Sequence, residues 1–149
     1  MGADNLVQNE RRMLGLDVGD RRIGIAVSDF TGSLATPIET YRRRTPEQDV
    51  QYITRLAEEN EASKIVVGLP KNMDGTEGEQ AAKTRAFAGR LEHSAPVLFW
   101  DERLSTAEAT RRLLEVGGRR SRDLRKSVDA EAAAVILESY LDHLRLGAR

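Results

Sequence analysis

The order of apolar segments in this 149-residue chain predicts an α/β fold built on a mixed five-stranded sheet, three antiparallel strands followed by two parallel ones, flanked by helices. Three observations carry that expectation. Two short runs rich in branched residues, 13–18 and 23–29, stand either side of Gly19-Asp20-Arg21-Arg22 and read as a hairpin. Two later apolar runs, 64–69 and 96–100, have the character of strands buried within a sheet. Stretches of helical periodicity precede each of them, so these strands join by crossovers and lie parallel.

Each element has a local reason. Gly32 turns the chain into a third strand over 34–41. Thr45-Pro46-Glu47-Gln48 combines an N-cap, a proline at the first helical position and a glutamine at the third. It predicts a helix to about Asn60, with Val50, Ile53, Leu56 and Ala57 on one face. Thr76-Glu77-Gly78-Glu79 reads as a second capping box, opening a helix through Ala82, Phe87 and Leu91. Ser105-Thr106-Ala107-Glu108 reads as a third, with Ala109, Leu113 and Leu114 inward. After a loop over 117–126, the last helix is expected from near Ser127, burying Ala132, Val135, Ile136, Tyr140 and Leu144.

Residues 1–12 are polar and aperiodic and are expected to be a flexible leader to one domain over 13–149. A composition of 40% hydrophobic and 32% charged residues argues against a disordered or fibrous chain. The absence of cysteine excludes a disulfide framework and a thiolate metal site. No signal-peptide core and no membrane-length apolar run is present, so a cytoplasmic location without a membrane partner is expected. A net charge of -1 argues against coating nucleic acid by bulk charge, which leaves local blocks to consider.

Three acids stand at the ends of expected elements. Alternation against Leu14, Leu16 and Val18 puts Asp17 on the other strand face with Met13 and Gly15; the alternative is a turn acid serving the hairpin, the role expected of Asp29. Glu102 follows an apolar strand, where ligand sites of open α/β sheets gather; the alternative is a surface acid paired with Arg103, and Asp101 could exchange roles with it. Asp129 falls in the first turn of the last helix, where the dipole alone favours a carboxylate by ~0.3–1 kcal/mol. Together the three form an oxygen donor set for Mg²⁺ or Mn²⁺, and two such ions about 4 Å apart support phosphodiester hydrolysis. With only His93 and His143, no HExxH, no GxSxG and no Walker A loop, a zinc hydrolase, a serine hydrolase and a P-loop enzyme are disfavoured.

Basic residues adjoin these acids. Arg21 and Arg22 follow Asp17, Arg103 follows Glu102, and Arg119, Arg120, Arg122, Arg125 and Lys126 precede Asp129; Arg42 to Arg44 form another block. Phosphate contact is the functional expectation and a solvated face the bland one. Lys71, in the loop over 69–78 between a buried strand and a helix start, would add positive charge where backbone amides can receive an anion.

In the segments GLDVGDRRIGIAVSD, VVGLPKNMDGTEG, WDERLST and SVDAEAAAVILESYL, in this order over 13–144, the chain resembles the RuvX/YqgF proteins, a bacterial branch of the ribonuclease H-like superfamily. The resemblance implies a ribonuclease H-like domain and a metal-dependent nuclease, with Asp17, Glu102 and Asp129 at the matching acidic positions and Glu102 preferred to Asp101. It implies maturation of the 5′ end of 16S rRNA from its precursor, with precursor rRNA and the pre-ribosomal particle as partners. Holliday-junction resolution is the other implied activity; it would take branched DNA and a homodimer across the junction. The ribosomal role is preferred because the resolvase name leans on a shared fold, which does not determine function. Two further readings are an RNA-binding module without turnover, and an ATPase suggested by the likeness of Asp17-Val18-Gly19 to the phosphate loop of actin-like enzymes, which need two such domains.

Overall fold

Branched residues at alternate positions make the strands, and two faces of unlike character decide what packs on each. The computed structural model describes residues 12–105 and 124–147. Its sheet contains β1 (Arg12–Val18), β2 (Arg22–Ser28), β3 (Ala35–Arg42), β4 (Ala62–Leu69) and β5 (Val97–Asp101), in the order β3-β2-β1-β4-β5. β1, β2 and β3 pair antiparallel, and β4 and β5 join parallel, as the crossover argument requires. Arg12, expected in the leader, belongs to β1; residues 1–11 lie outside the described residues. Among the described residues no helix is long and apolar enough to cross a membrane.

On one face Leu14, Leu16, Val18, Ile23, Ile25, Ile65 and Val67 pack under α1 (Pro46–Glu59) and α2 (Glu79–Gly89). The expected capping box opens α1: Gln48 N–H donates to Thr45 Oγ1 at 3.1 Å, and the Gln48 side chain returns to the Thr45 backbone. Val50, Ile53 and Ala57 are buried, and Leu56 packs beside them partly buried. The second box does not form. Thr76 N–H and Oγ1 both donate to Asp74 Oδ1, at 3.0 and 2.6 Å, in a turn whose Gly75 has φ 91°. That local turn consumes the threonine, so α2 starts two residues late behind an extended Gly78 with no side-chain cap. Its inner face is Ala81, Thr84, Phe87 and Ala88; Ala82 is exposed, and Leu91 is buried beyond the helix end.

The other face carries α3 (Leu124–Gly147) alone among the described helices. Leu124, Arg125 and Lys126 are good helix formers and extend it upstream of Ser127, so Asp129 lies in the second turn, not the first. The buried stripe is Ala130, Ala133, Ala134, Leu137 and Leu141, with Ile136 and Tyr140. Of the expected set, Ala132 and Val135 are only partly buried and Leu144 is exposed. Close packing on a glycine-bearing sheet selects small residues over bulky ones and shifts the stripe. Buried Glu138 accepts the Ala35 N–H at 3.0 Å and pairs with Arg145, tying α3 to β3. The third capping box beyond Ser105, with Ala109, Leu113 and Leu114, lies outside the described residues.

Asp49 in α1 is 1% exposed and accepts from Tyr41 Oη (2.8 Å), Arg43 Nε (2.9 Å) and Arg44 N–H (2.8 Å). Burial pushes its carboxyl up; the donated hydrogen bonds from Arg44 N–H, Arg43 and Tyr41 outweigh burial and hold it below the ordinary value. A depressed folded pKa contributes stability above the ordinary value of 3.8 and loses it as pH falls through the folded value. Asp49→Asn should therefore cost about 3 kcal/mol at neutral pH by urea denaturation. The gap to wild type should shrink only below the ordinary aspartate range; a gap already closing near neutrality would contradict this account.

Candidate active site

Asp17 sits near the end of β1 with a glycine on each side in the sheet. Its partner across β2 is Gly24; on β4, Val67 pairs with Leu16, so Gly68 follows beside Asp17. These glycines are notches. A Cβ on Gly24 would overlap the Asp129 backbone carbonyl, so α3 lies directly on β2 at Asp129. A Cβ on Gly68 would stand 2.9 Å from Glu102 Oε2. Each notch admits one of the other two acids toward Asp17. Gly15 extends the same strip, where a Cβ would meet Leu137 Cβ at 2.9 Å.

Glu102 is positioned by the end of β5. The strand closes at Asp101, and a single 3₁₀ turn covers Glu102–Leu104. Asp101 caps that turn by accepting Arg103 N–H at 2.9 Å and pairs with the Arg103 guanidinium at 2.8 Å. Ser139 of α3 accepts from Trp100 Nε1 at 3.1 Å and donates to the Leu104 carbonyl at 2.8 Å, so it holds the chain on both sides of Glu102. Asp101 is thus occupied with Arg103, and Glu102 is the acid turned to Asp17.

The acids act on one another. Burial, then the charge of Asp129, push Asp17 above its ordinary value, against a hydrogen bond with Glu102 that favours the Asp17 anion. Burial, then the Asp17 charge, the bond between them and Asp101 push Glu102 up to about 7. Asp129 instead meets Arg22, whose Nε donates to Oδ2 at 2.7 Å. Among the described residues no three acids or histidines close into a metal-ligating group, with Asp129 drawn to the guanidinium.

The basic residues divide. Arg22 holds Asp129, and Arg103 spans Asp101 and the Met73 carbonyl (3.3 Å), tying the turn to the loop after β4. Lys71, half-buried in that loop, is felt by Glu77 and Asp101. Arg21 is exposed and lines a cleft with Arg42, Arg43 and Arg44. Arg125 and Lys126 belong to the first turn of α3, while Arg119, Arg120 and Arg122 lie outside the described residues. Asp29 makes the expected turn, accepting Ser33 N–H at 2.9 Å and Ser33 Oγ at 3.0 Å. The glycine notches and Ser139 position the acids without being acidic or basic themselves. Glycine inside an otherwise branched strand is the signal that would have found the notches.

A five-stranded mixed sheet in the order β3-β2-β1-β4-β5 with helices on both faces is a ribonuclease H-like fold. The chain belongs to the RuvX family: residues 11–143 match the family described as "RuvX: Holliday junction resolvase". It is 50% identical over 135 residues to a Halothermothrix orenii protein named "Putative pre-16S rRNA nuclease", covering 89% of this chain and 95% of that one. A protein of the same name from Symbiobacterium thermophilum is 50% identical over 133 residues, covering 88% and 92%. The fold is shared with Thermus thermophilus RuvC, solved in complex with a Holliday junction substrate, at TM-score 0.66 and 15% identity over 92% of this chain and 96% of RuvC. It is also shared with the fowlpox virus resolvase, solved with Holliday junction DNA, at TM-score 0.58 and 12% identity over 89% and 98%.

The notch geometry orders two substitutions. Gly24→Ala sets a methyl against helix backbone, which cannot turn aside, and should cost about 3 kcal/mol or more. Gly68→Ala meets the Ile136 and Glu102 side chains, which can move, and should cost about 1 kcal/mol. Urea denaturation checks the order, and equal or reversed costs would contradict it.

Proposed function

We propose that this chain is a divalent-metal-dependent nuclease that hydrolyses phosphodiester bonds of precursor 16S rRNA in maturing its 5′ end, with Asp17, Glu102 and Asp129 as its carboxylate set. The observation that carries the reading is the placement of Asp17 between two glycine notches, each admitting another acid. That arrangement has a cost: burial and the charge of Asp129 raise Asp17, and burial and the charge of Asp17 raise Glu102, with the hydrogen bond between them favouring only the Asp17 anion. The donors are all oxygen, and a hard divalent cation would relieve the repulsion, so these residues fit Mg²⁺ or Mn²⁺. When bound, one or two such ions would supply activation of water and stabilisation of the leaving oxygen.

The protein groups then divide the work. Asp17, flanked by both other acids, would hold such an ion together with them. Arg22 holds Asp129 by one nitrogen and is placed to turn toward a phosphate at the same point. Arg21, Lys71 and Arg103, with the basic run at 119–126, are assigned to the phosphate backbone. The names of the relatives support RNA as substrate and the cytoplasm as its place, with the precursor rRNA or pre-ribosomal particle as partner. The family description favours a second reading, cleavage of four-way DNA junctions by a homodimer.

Purified protein offered a 16S precursor leader RNA and a four-way DNA junction side by side, with and without Mn²⁺, separates these. Metal-dependent cleavage of the RNA is expected. Asp17→Asn, Glu102→Gln and Asp129→Asn should each lower the rate on the order of a hundredfold or more while keeping the far-ultraviolet circular dichroism of the wild type. Cleavage retained in all three variants refutes the site. Paired symmetric nicks in the junction with the RNA untouched transfer the assignment to resolution, and binding of RNA without cleavage transfers it to a non-catalytic module.

A further inference from the structure

We propose that the cleft between the β1–β2 turn and the start of α1 is a second phosphate subsite, which holds the nucleic-acid backbone flanking the bond cut at the carboxylates. Arg21, Arg42, Arg43 and Arg44 line it, with two acids, Asp20 and Asp49. Both acids already have a cationic partner. Asp49 is bound to Arg43, Tyr41 and the Arg44 N–H, and Asp20 lies 3.6 Å from Lys83. Arg43 is further committed to the Gly19 carbonyl and the Phe87 ring. Arg21, Arg42 and Arg44 remain, exposed and without an ion pair among the described residues. Three guanidiniums around one cleft repel each other, and an anion shared between them removes that repulsion.

Arg42 connects the cleft to the acids. It stands opposite Arg22 in the β2–β3 ladder, so both belong to the sheet face where Arg22 meets Asp129. Like charges directly opposite on neighbouring strands are destabilising, and a phosphate beside the pair reverses the sign of the interaction. β3 is the sheet edge, and from it the chain continues through Arg43 to Arg44. Arg44 also lines the adjoining groove with Gln48, Tyr52 and Arg55, where the Arg55 guanidinium lies 5.6 Å above the Tyr52 ring. A basic surface continuing from one groove into the next suits a polymer of phosphodiesters, not a single small anion.

The subsite rests on the nuclease reading for the bond it flanks, but its test involves no turnover. Fluorescence anisotropy in EDTA would follow a labelled single strand of about a dozen nucleotides and a labelled dinucleotide, each as RNA and as DNA. The full chain and its Arg42→Ala/Arg44→Ala variant would be compared across a salt series, with folding checked by circular dichroism. The variant should bind the long strand about tenfold more weakly at low salt and show a salt slope smaller by about 1.4, two phosphates at ~0.7 each. Arg42→Lys/Arg44→Lys should keep most of the slope, and dinucleotide binding should not change. An unchanged slope and affinity in the alanine variant overturns the subsite, as does a loss confined to RNA or to DNA, because backbone recognition is common to both. Cleavage surviving in Asp17→Asn would overturn the catalytic reading and leave this measurement standing.

Discussion

The approach of α3 to the backbone of β1 and β2 is the constraint on which the site depends. Helices normally stand off a sheet by the length of the side chains between them. Here Gly15 and Gly24 remove those side chains from the sheet, and Ala130, Ala133 and Ala134 keep the helix face thin. The helix backbone therefore rests on β2 at Asp129, and Ala130 N–H reaches Thr40 Oγ1 on β3 at 3.2 Å. A residue in the second helical turn is thereby brought beside a residue in the first strand, more than a hundred positions away in the chain.

Two half-chains of aspartate chemistry show what that proximity does. Asp49 and Asp17 are both aspartates drawn into the protein, on opposite faces of the sheet. Asp49 is given three donors, one of them cationic, and its charge is stabilised despite burial. Asp17 meets burial and the charge of Asp129, which oppose its charge and outweigh the one hydrogen bond from Glu102 that favours it. The first is the solution a fold adopts for stability; the second fits the proposed role of Asp17 as a ligand. The surroundings reinforce the difference. Asp101 with Arg103, and Ser139 with Trp100 and the Leu104 carbonyl, fix the turn that carries Glu102, so the unfavourable acid is held in place by neighbours that are themselves satisfied.

Much of this was legible in the chain because period-2 alternation and strand-end placement are local properties. They put Asp17 opposite Leu14, Leu16 and Val18, marked the hairpin around Gly19, and placed Glu102 beyond the last apolar strand. The capping box at Thr45 formed because nothing nearby competes for its threonine. The one at Thr76 did not, because Asp74 two residues earlier offers a shorter bond and Gly75 permits the turn. The stripe of α3 keeps the expected Ile136 and Tyr140 but departs elsewhere for a tertiary reason: the sheet beneath it has no side chains at three positions, so the stripe follows the alanines, and Leu144 is left outside. Spacing alone leaves Asp101 and Glu102 equivalent; the resemblance implies Glu102, and in space Arg103 occupies Asp101.

In the proposed reading the sheet gathers carboxylates around Asp17 at a cost that a divalent cation offsets. Thermal denaturation of wild type and Asp17→Asn, each in EDTA and in excess Mn²⁺, tests it most directly. Wild type should gain about 5–10 °C from Mn²⁺ at roughly a hundredfold excess over Kd. Asp17→Asn should be at least as stable as wild type in EDTA and gain little from the ion. An equal Mn²⁺ shift in both proteins, or an Asp17→Asn variant clearly less stable than wild type in EDTA, would contradict the account.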